Sequence, residues 1–226
     1  MSQLVLPIRL ADHAVFESFL AAGNEALVAT LGALADRDSD HGCWLWGAPA
    51  TGKTHLLQAV CERAGDRAVY VPLTLLADAG PAVLDGLARR ELVCIDDLDA
   101  VLGDEDWEAA LFDLCNQLTD SGGQLAVAAS AAPRESSIGL ADLASRLSRL
   151  AVFRVQPLDD EQRIAALQLR ATHRGLDLPD ESARYLIKRS RRDMASLYEL
   201  LDKLDLEALR AQRRLTIPFV RDVLRS

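Results

Sequence analysis

The densest chemistry in the sequence lies between residues 47 and 54. Gly47-Ala48-Pro49-Ala50-Thr51-Gly52-Lys53-Thr54 matches the pattern G-x-x-x-x-G-K-[ST] in full, and His55 follows directly. Glycines at both ends let the backbone curl without Cβ clashes, so that successive N–H groups converge on phosphate oxygens. A helix starting at the second glycine adds its positive N-terminal end. Lys53 is then placed to reach β- and γ-phosphates, and the Thr54 hydroxyl to ligate Mg²⁺. Further on, the apolar run Leu92-Val93-Cys94-Ile95 ends in Asp96-Asp97. A buried strand ending in acids sets carboxylates at the edge of a sheet, beside a phosphate loop. Asp96 is expected to hold Mg²⁺, directly or through water, and Asp97 to orient or deprotonate an attacking water. Many hydrolases with this motif carry Glu at the second acid, and the shorter Asp97 predicts slow intrinsic turnover.

These groups need a scaffold, and its pattern is regular. The periodicity predicts strands at 43–46, 68–71, 92–95, 125–129 and 151–155. Helices are predicted at 14–35 (broken at Gly23-Asn24), 53–63, 82–89, 105–118 and 140–147. Trp107, Leu111, Leu114 and Leu118 share one stripe of the fourth of these. Short apolar strands alternating with helices mean a parallel sheet covered on both faces. After Pro157 only helices are expected, at 160–173, 180–190, 193–211 and 217–225, with Asp159 and Asp180 as N-caps and Pro218 in a first turn. The division is an extended arm at 1–12, an α/β nucleotide-binding domain at 13–156 and a small all-helical lid at 157–226. Trp44 and Trp46 are read as core. Phe16 and Phe19 either wall a base pocket or simply pack.

Composition narrows the classes. The 226 residues are 50% apolar and 26% charged, which excludes disorder and coiled coil. No apolar run is long enough to span a membrane, and the first residues do not read as a secretion signal. Cys43, Cys61, Cys94 and Cys115 have neither zinc nor disulfide-scaffold spacing and are expected as buried thiols. His41, His55 and His173 are isolated, so no histidine metal site is expected. Residues 1–156 hold 11 Lys+Arg against 22 Asp+Glu, and residues 157–226 hold 14 against 12. An acidic body argues against direct gripping of DNA, because non-specific affinity rests on neutralising phosphates.

Phosphate loop, acidic strand end and helical lid are common to kinases, GTPases and motors until further segments are considered. Gln3-Leu-Val-Leu-Pro7, Phe16-Glu-Ser-Phe19, Tyr70-Val-Pro72, Gly103-Asp-Glu-x-Trp107, Asp142-Leu-Ala-Ser-Arg-Leu147, Ala166-Leu-Gln-Leu-Arg170 and Leu215-Thr-Ile-Pro-Phe-Val220 resemble the DnaA regulatory inactivator (Hda) family over nearly the whole chain. That family belongs to the DnaA-related AAA+ P-loop ATPases. The resemblance implies an α/β AAA+ body with a five-stranded parallel sheet and a helical lid. It implies bound ADP or ATP with Mg²⁺, Mg²⁺ being held by Thr54 and Asp96. It makes Arg146 an arginine finger acting in trans on ATP held by the initiator DnaA, and Arg192 a lid arginine that folds over the chain's own γ-phosphate. Ser130 stands where the family often has Asp or Asn facing the γ-phosphate, and offers a weaker contact. Gln3, Leu4, Leu6 and Pro7 resemble a peptide that binds the DNA polymerase III sliding clamp (its β subunit).

The implied role is a cytoplasmic negative regulator of replication initiation. It is associated with the nucleoid through the clamp, reaches DNA only indirectly, turns over little or no ATP of its own, and is open to homo-oligomerisation. On the resemblance, DnaA-like proteins carry a DNA-binding helix-turn-helix domain after the lid, and none is expected here. The rival readings are a helicase-loader-type AAA+ protein, a small-molecule kinase and a non-catalytic clamp–initiator adaptor.

Overall fold

The computed structural model describes residues 14–39, 41–191 and 193–225. Five short apolar runs form strands β1 (Cys43–Trp46), β2 (Ala68–Pro72), β3 (Leu92–Asp96), β4 (Gln124–Ala129) and β5 (Ala151–Arg154). They pair in parallel, in the order β2-β3-β4-β1-β5. Helices α1 (Glu25–Asp36), α2 (Lys53–Ala64), the single turn α3 (Leu73–Leu76), α4 (Glu105–Ser121) and α5 (Ala141–Leu147) connect and flank them.

The pleat of the sheet sorts its side chains into two cores. Trp44, Val93, Ile95 and Val127 point to one face, where α4 and α5 lay down Trp107, Leu111, Leu114, Leu118, Leu143 and Leu147. Cys43, Leu45, Cys94, Ala126 and Ala128 point to the other, against Leu27, Leu31 and Leu34 of α1 and Leu56, Leu57 and Val60 of α2. Both faces are covered, which is why the strands read as unbroken apolar runs. All four cysteines are free and buried; burial pushes the Cys43 thiol up to about 12 and the Cys115 thiol up to about 11.

The remaining helices, α6 (Asp160–His173), α7 (Asp180–Arg189), α8 (Met194–Ala211) and α9 (Ile217–Arg225), enclose a third core around Leu167, Leu186, Leu201, Leu204 and Val220. A capping box opens α6: Gln162 N–H donates to Asp159 Oδ1 at 2.8 Å, and Asp159 N–H to Gln162 Oε1 at 2.9 Å. Among the described residues no helix is long and apolar enough to cross a membrane.

Four local expectations are corrected. The stretch 82–89 is two 3-10 turns, Pro81–Leu84 and Leu87–Arg89, because Gly86 between them sits at φ 75°, which no helix continues through. The stretch from 14 keeps only the 3-10 turn Phe16–Ser18 before α1, with Ala22 and Gly23 both at positive φ. Pro179, not Asp180, is the N-cap of α7, and Asp180 is its first residue. Trp44 is fully buried, but Trp46 is half-buried under the guanidinium of Arg154, 5.3 Å from its ring centroid.

Candidate functional site

The register brings three strand ends to one sheet edge: Trp46 pairs with Ala129, and Ile95 with Val127. The loop 47–52 leaves β1 at that edge and enters α2. Gly52 sits at φ 100°, and a Cβ there would stand 2.7 Å from Cε2 of Phe19, so only glycine lets the loop pass the ring. Ala50 also takes the left-handed region, at φ 59°. Gly52, the N-cap of α2, provides no side-chain hydrogen bond, which leaves the first N–H groups of the helix open to an anion. Lys53 Nζ folds back on the loop, donating to Gly47 O at 2.7 Å and Ala48 O at 3.1 Å. Burial pushes the Lys53 ammonium below its ordinary range, while Asp96, Asp97 and Asp99 together pull it the other way.

Asp96 ends β3 almost fully buried. Its Oδ2 accepts the Tyr70 hydroxyl at 2.7 Å and its Oδ1 the Asp97 N–H at 3.1 Å, and the Thr54 hydroxyl also donates to it. Burial pushes the carboxyl above its ordinary range, and these donors only partly offset that. A buried carboxylate touching Thr54 beside an open helix N-terminus fits a nucleoside polyphosphate with a divalent cation; the donor set is hard oxygen, which suits Mg²⁺. Asp97 is exposed, held in the left-handed region at φ 54°, and its Oδ2 accepts from Thr74 Oγ1 of α3 at 2.7 Å. Strain of this kind gathers where a side chain must be aimed. Ser130 is committed to Asp99: its N–H donates to Oδ2 at 2.6 Å and its hydroxyl to Oδ1 at 2.9 Å.

Beside the loop lies a small apolar cleft lined by Phe19, Asn24, Gly52, His55, Leu158 and, from the lid, Tyr198. Phe19 therefore does both things left open for it, walling the cleft and packing on Gly52, whereas Phe16 packs beneath Arg63, 5.8 Å from its guanidinium. His55 lines this cleft together with Thr51 and Gly52 of the phosphate loop. Its Nε2 lies 2.9 Å from Val15 O and its ring 5.6 Å from that of Phe19, so it ties the N-terminal turn to α2 and forms part of the cleft floor.

Burial pushes the His55 imidazole below its ordinary value of 6.5, partly offset by the hydrogen bond to Val15 and aided by Arg170. The folded state therefore holds this proton less tightly than the unfolded chain. The stability His55 supplies is present above 6.5 and is lost as pH falls from there toward its folded value. His55→Gln should accordingly flatten the decline of Tm over that acidic range relative to the parent. Parallel slopes for the two proteins would show that folding does not change the proton affinity of His55.

Arg146 lies elsewhere. It stands in the last turn of α5, half-buried in a groove formed with Gly42, Thr119, Gly123, Leu125 and Leu150. Gly42, Gly123 and Leu150 directly precede β1, β4 and β5, so the groove is at the opposite sheet edge from the phosphate loop. Its side chain cannot serve the chain's own loop across a sheet at least four residues deep, roughly 13 Å. Among the described residues no carboxylate pairs with Arg146, and its charge partly opposes the rise of the Cys115 thiol. Gln3, Leu4, Leu6, Pro7 and Arg192 lie outside the described residues.

The structure adds Tyr70, Thr74 and Asp99 to the acids and serine foreseen. Tyr70 had a motif but no role, because the sequence does not say that β2 lies next to β3. Asp99 sits in the 3-10 turn Leu98–Ala100 that follows the strand end, and no signal in the sequence pairs it with Ser130.

The fold and the lid have known counterparts. Residues 160–224 match the family model of the Hda lid domain, and residues 43–121, from β1 through α4, match a model described as RNA helicase. Domain III of the Thermotoga maritima replication initiation protein DnaA superposes with a TM-score of 0.80 at 21% identity, covering 96% of this chain and 98% of that one. AMPPCP-bound DnaA from Aquifex aeolicus gives 0.68 at 21%, over 88% of this chain and 67% of that one. The Thermotoga maritima RuvB Holliday junction branch migration motor gives 0.66 at 17%, over 92% and 69%. Residues 160–224 thus form an Hda-type lid, carried on an α/β body of the fold shared by DnaA and RuvB.

Proposed function

We propose that this protein is a nucleotide-bound regulator that switches off DnaA by stimulating hydrolysis of DnaA's ATP. The observation that carries the reading is the division of one rigid sheet. Its C-terminal edge holds a complete phosphate cradle, and its N-terminal edge presents an arginine with no partner among the described residues. An arginine there can stabilise charge only on a nucleotide held by another molecule.

The chain's own site binds ADP or ATP through residues 47–54. His55, Phe19 and the lid residue Tyr198 enclose the base, and Thr54 and Asp96 hold Mg²⁺, which screens the phosphate charge. Arg192 is assigned to the γ-phosphate of this site. Two features favour a nucleotide kept rather than consumed: Ser130 is occupied by Asp99, and Asp97 is held by Thr74. The arm 1–12 carries the clamp contact through Gln3, Leu4, Leu6 and Pro7, ahead of a body at 13–156 and a lid at 157–226. Leu4 and Leu6 fit apolar pockets, and the Gln3 amide can hydrogen-bond backbone groups. Tethering to the DNA-loaded clamp replaces direct DNA binding, which the acidic body disfavours.

The test is turnover of ATP bound to DnaA, with and without DNA-loaded clamp. Gln3→Ala should fail at low concentration and recover as its concentration is raised, because only recruitment is impaired. Recovery of Arg146→Ala under the same titration would leave the chain a non-catalytic adaptor. Equal stimulation with and without clamp would remove the tether from the scheme.

A further inference from the structure

Apart from Asp96, Glu108 is the carboxylate that the body buries among the described residues, at 2% exposure. It stands in the first turn of α4, and no cation pairs with it among the described residues. Three backbone N–H groups satisfy it instead: Gly103 and Gly139 donate to Oε1 at 2.8 and 3.0 Å, and Leu140 donates to Oε2 at 2.6 Å. Burial alone would raise its carboxyl, but the three donors outweigh that and hold it below the ordinary carboxylate range. A charge buried at this cost holds its donors firmly, since each would lose a charge-assisted bond on moving.

The identity of the donors matters. Leu140 is the N-cap of α5, and Gly139 precedes it. That helix has seven residues and no side-chain cap, so its entry angle depends on outside contacts. Gly103 closes the loop that begins with Asp97 and Leu98 and runs past Asp99, the partner of Ser130. Gly139 has no Cβ to spare; one built there would stand 3.3 Å from Glu108 Oε2. One carboxylate thus pins both the entry of the helix that ends in Arg146 and the loop that leaves the nucleotide site.

We propose that Glu108 is a positioning residue for Arg146, joining the aim of its guanidinium to the loop behind Asp96 and Asp97. The proposal rests on the reading of Arg146 as the group that acts on DnaA's nucleotide. Arg146 lies six residues beyond Leu140, about 9 Å along the helix. A tilt of roughly 6° at the entry therefore shifts its Cα by about 1 Å, and a 1 Å misplacement can cost about 10²-fold in rate.

Glu108→Gln is nearly isosteric but turns an amide N–H₂ toward backbone donors. In the full chain, with DNA-loaded clamp and ATP-bound DnaA, it should lower the maximal stimulated rate by about 10- to 100-fold. The concentration giving half-maximal stimulation should not change. Amide exchange over residues 139–147 should quicken, and the variant should add no loss in an Arg146→Ala background. Should Glu108→Gln fold poorly, Leu140→Pro deletes the shortest of the three bonds along with the Leu140 side chain's packing on the core, at a backbone angle of φ −83° that proline can keep; Leu140→Ala, which loses the packing and keeps the N–H, is its control. The proline variant should show the same loss of maximal rate. Unchanged exchange over 139–147 overturns the positioning role whatever happens to activity. A further loss on top of Arg146→Ala overturns it too, by showing that Glu108 acts elsewhere. Full stimulation by Arg146→Ala itself sinks the functional reading instead, and the exchange measurement still judges the Glu108 tie.

Discussion

Arg146→Ala should reduce the stimulated hydrolysis of DnaA-bound ATP by about 10³- to 10⁵-fold, the range that an arginine finger contributes by stabilising charge on the transferring phosphoryl group. The fold itself should survive. Arg146 is half-buried at a groove, pairs with no carboxylate among the described residues, and leaves no buried charge behind when removed. Own-nucleotide binding should be untouched, since the phosphate loop lies at the other sheet edge, and clamp binding should be unchanged because Arg146 is not part of the peptide assigned to it. Arg146→Lys keeps a point charge but loses the planar fork that contacts phosphate oxygens in pairs, so it should recover a minor part of the rate. The measurement is single-turnover decay of ATP pre-bound to DnaA, at saturating regulator and clamp. A decay within tenfold of the parent for Arg146→Ala would remove the finger from the mechanism.

Lys53→Ala should weaken nucleotide binding by this chain by about 10²- to 10⁴-fold, taking two charge-assisted phosphate bonds at about 1.5–3 kcal/mol each. The acidic surroundings are the reason for a large effect. Asp96, Asp97 and Asp99 all act on Lys53, and burial already pushes its ammonium downward. Without that cation the phosphate loop would face Asp96, Asp97 and Asp99 with no positive side chain of its own. Lys53→Arg should do little better, because the lysine reaches Gly47 O and Ala48 O inside a tight turn with no room for a fork. Equilibrium titration with a fluorescent ADP analogue checks this. An affinity within fivefold of the parent would mean that the helix N-terminus alone holds the phosphates. If nucleotide also orders the body that carries Arg146, Lys53→Ala will lose stimulation as well; retention of it would separate the two sites.

Much of the scaffold was legible before any coordinate. Both faces of the inner strands β1, β3 and β4 are buried, so these stand out as continuous apolar runs, and the helical stripe Trp107, Leu111, Leu114 and Leu118 is buried on the face where periodicity put it. The phosphate loop was equally plain, since its glycines, lysine and threonine lie on consecutive residues and their chemistry is local. Where glycine and proline interrupt a weak pattern, as at 80–86, the periodicity overstated the helix, because one left-handed residue cancels several good helix formers.

What the order of residues settles here is whatever depends on neighbours along the chain: strand and helix identity, the cradle of backbone N–H groups, and the capping of α6. What only the tertiary structure decided is which distant groups meet. Tyr70 reaches Asp96 because β2 happens to flank β3, Asp99 occupies Ser130 because β4 flanks β3, and Glu108 gathers the entry of α5 from thirty-two positions away. The same holds for the placement of Arg146 at the sheet edge opposite Lys53. The physical reason is that parallel strands are joined by long crossovers, so their lateral order is chosen by packing and twist rather than by any signal in the connecting residues.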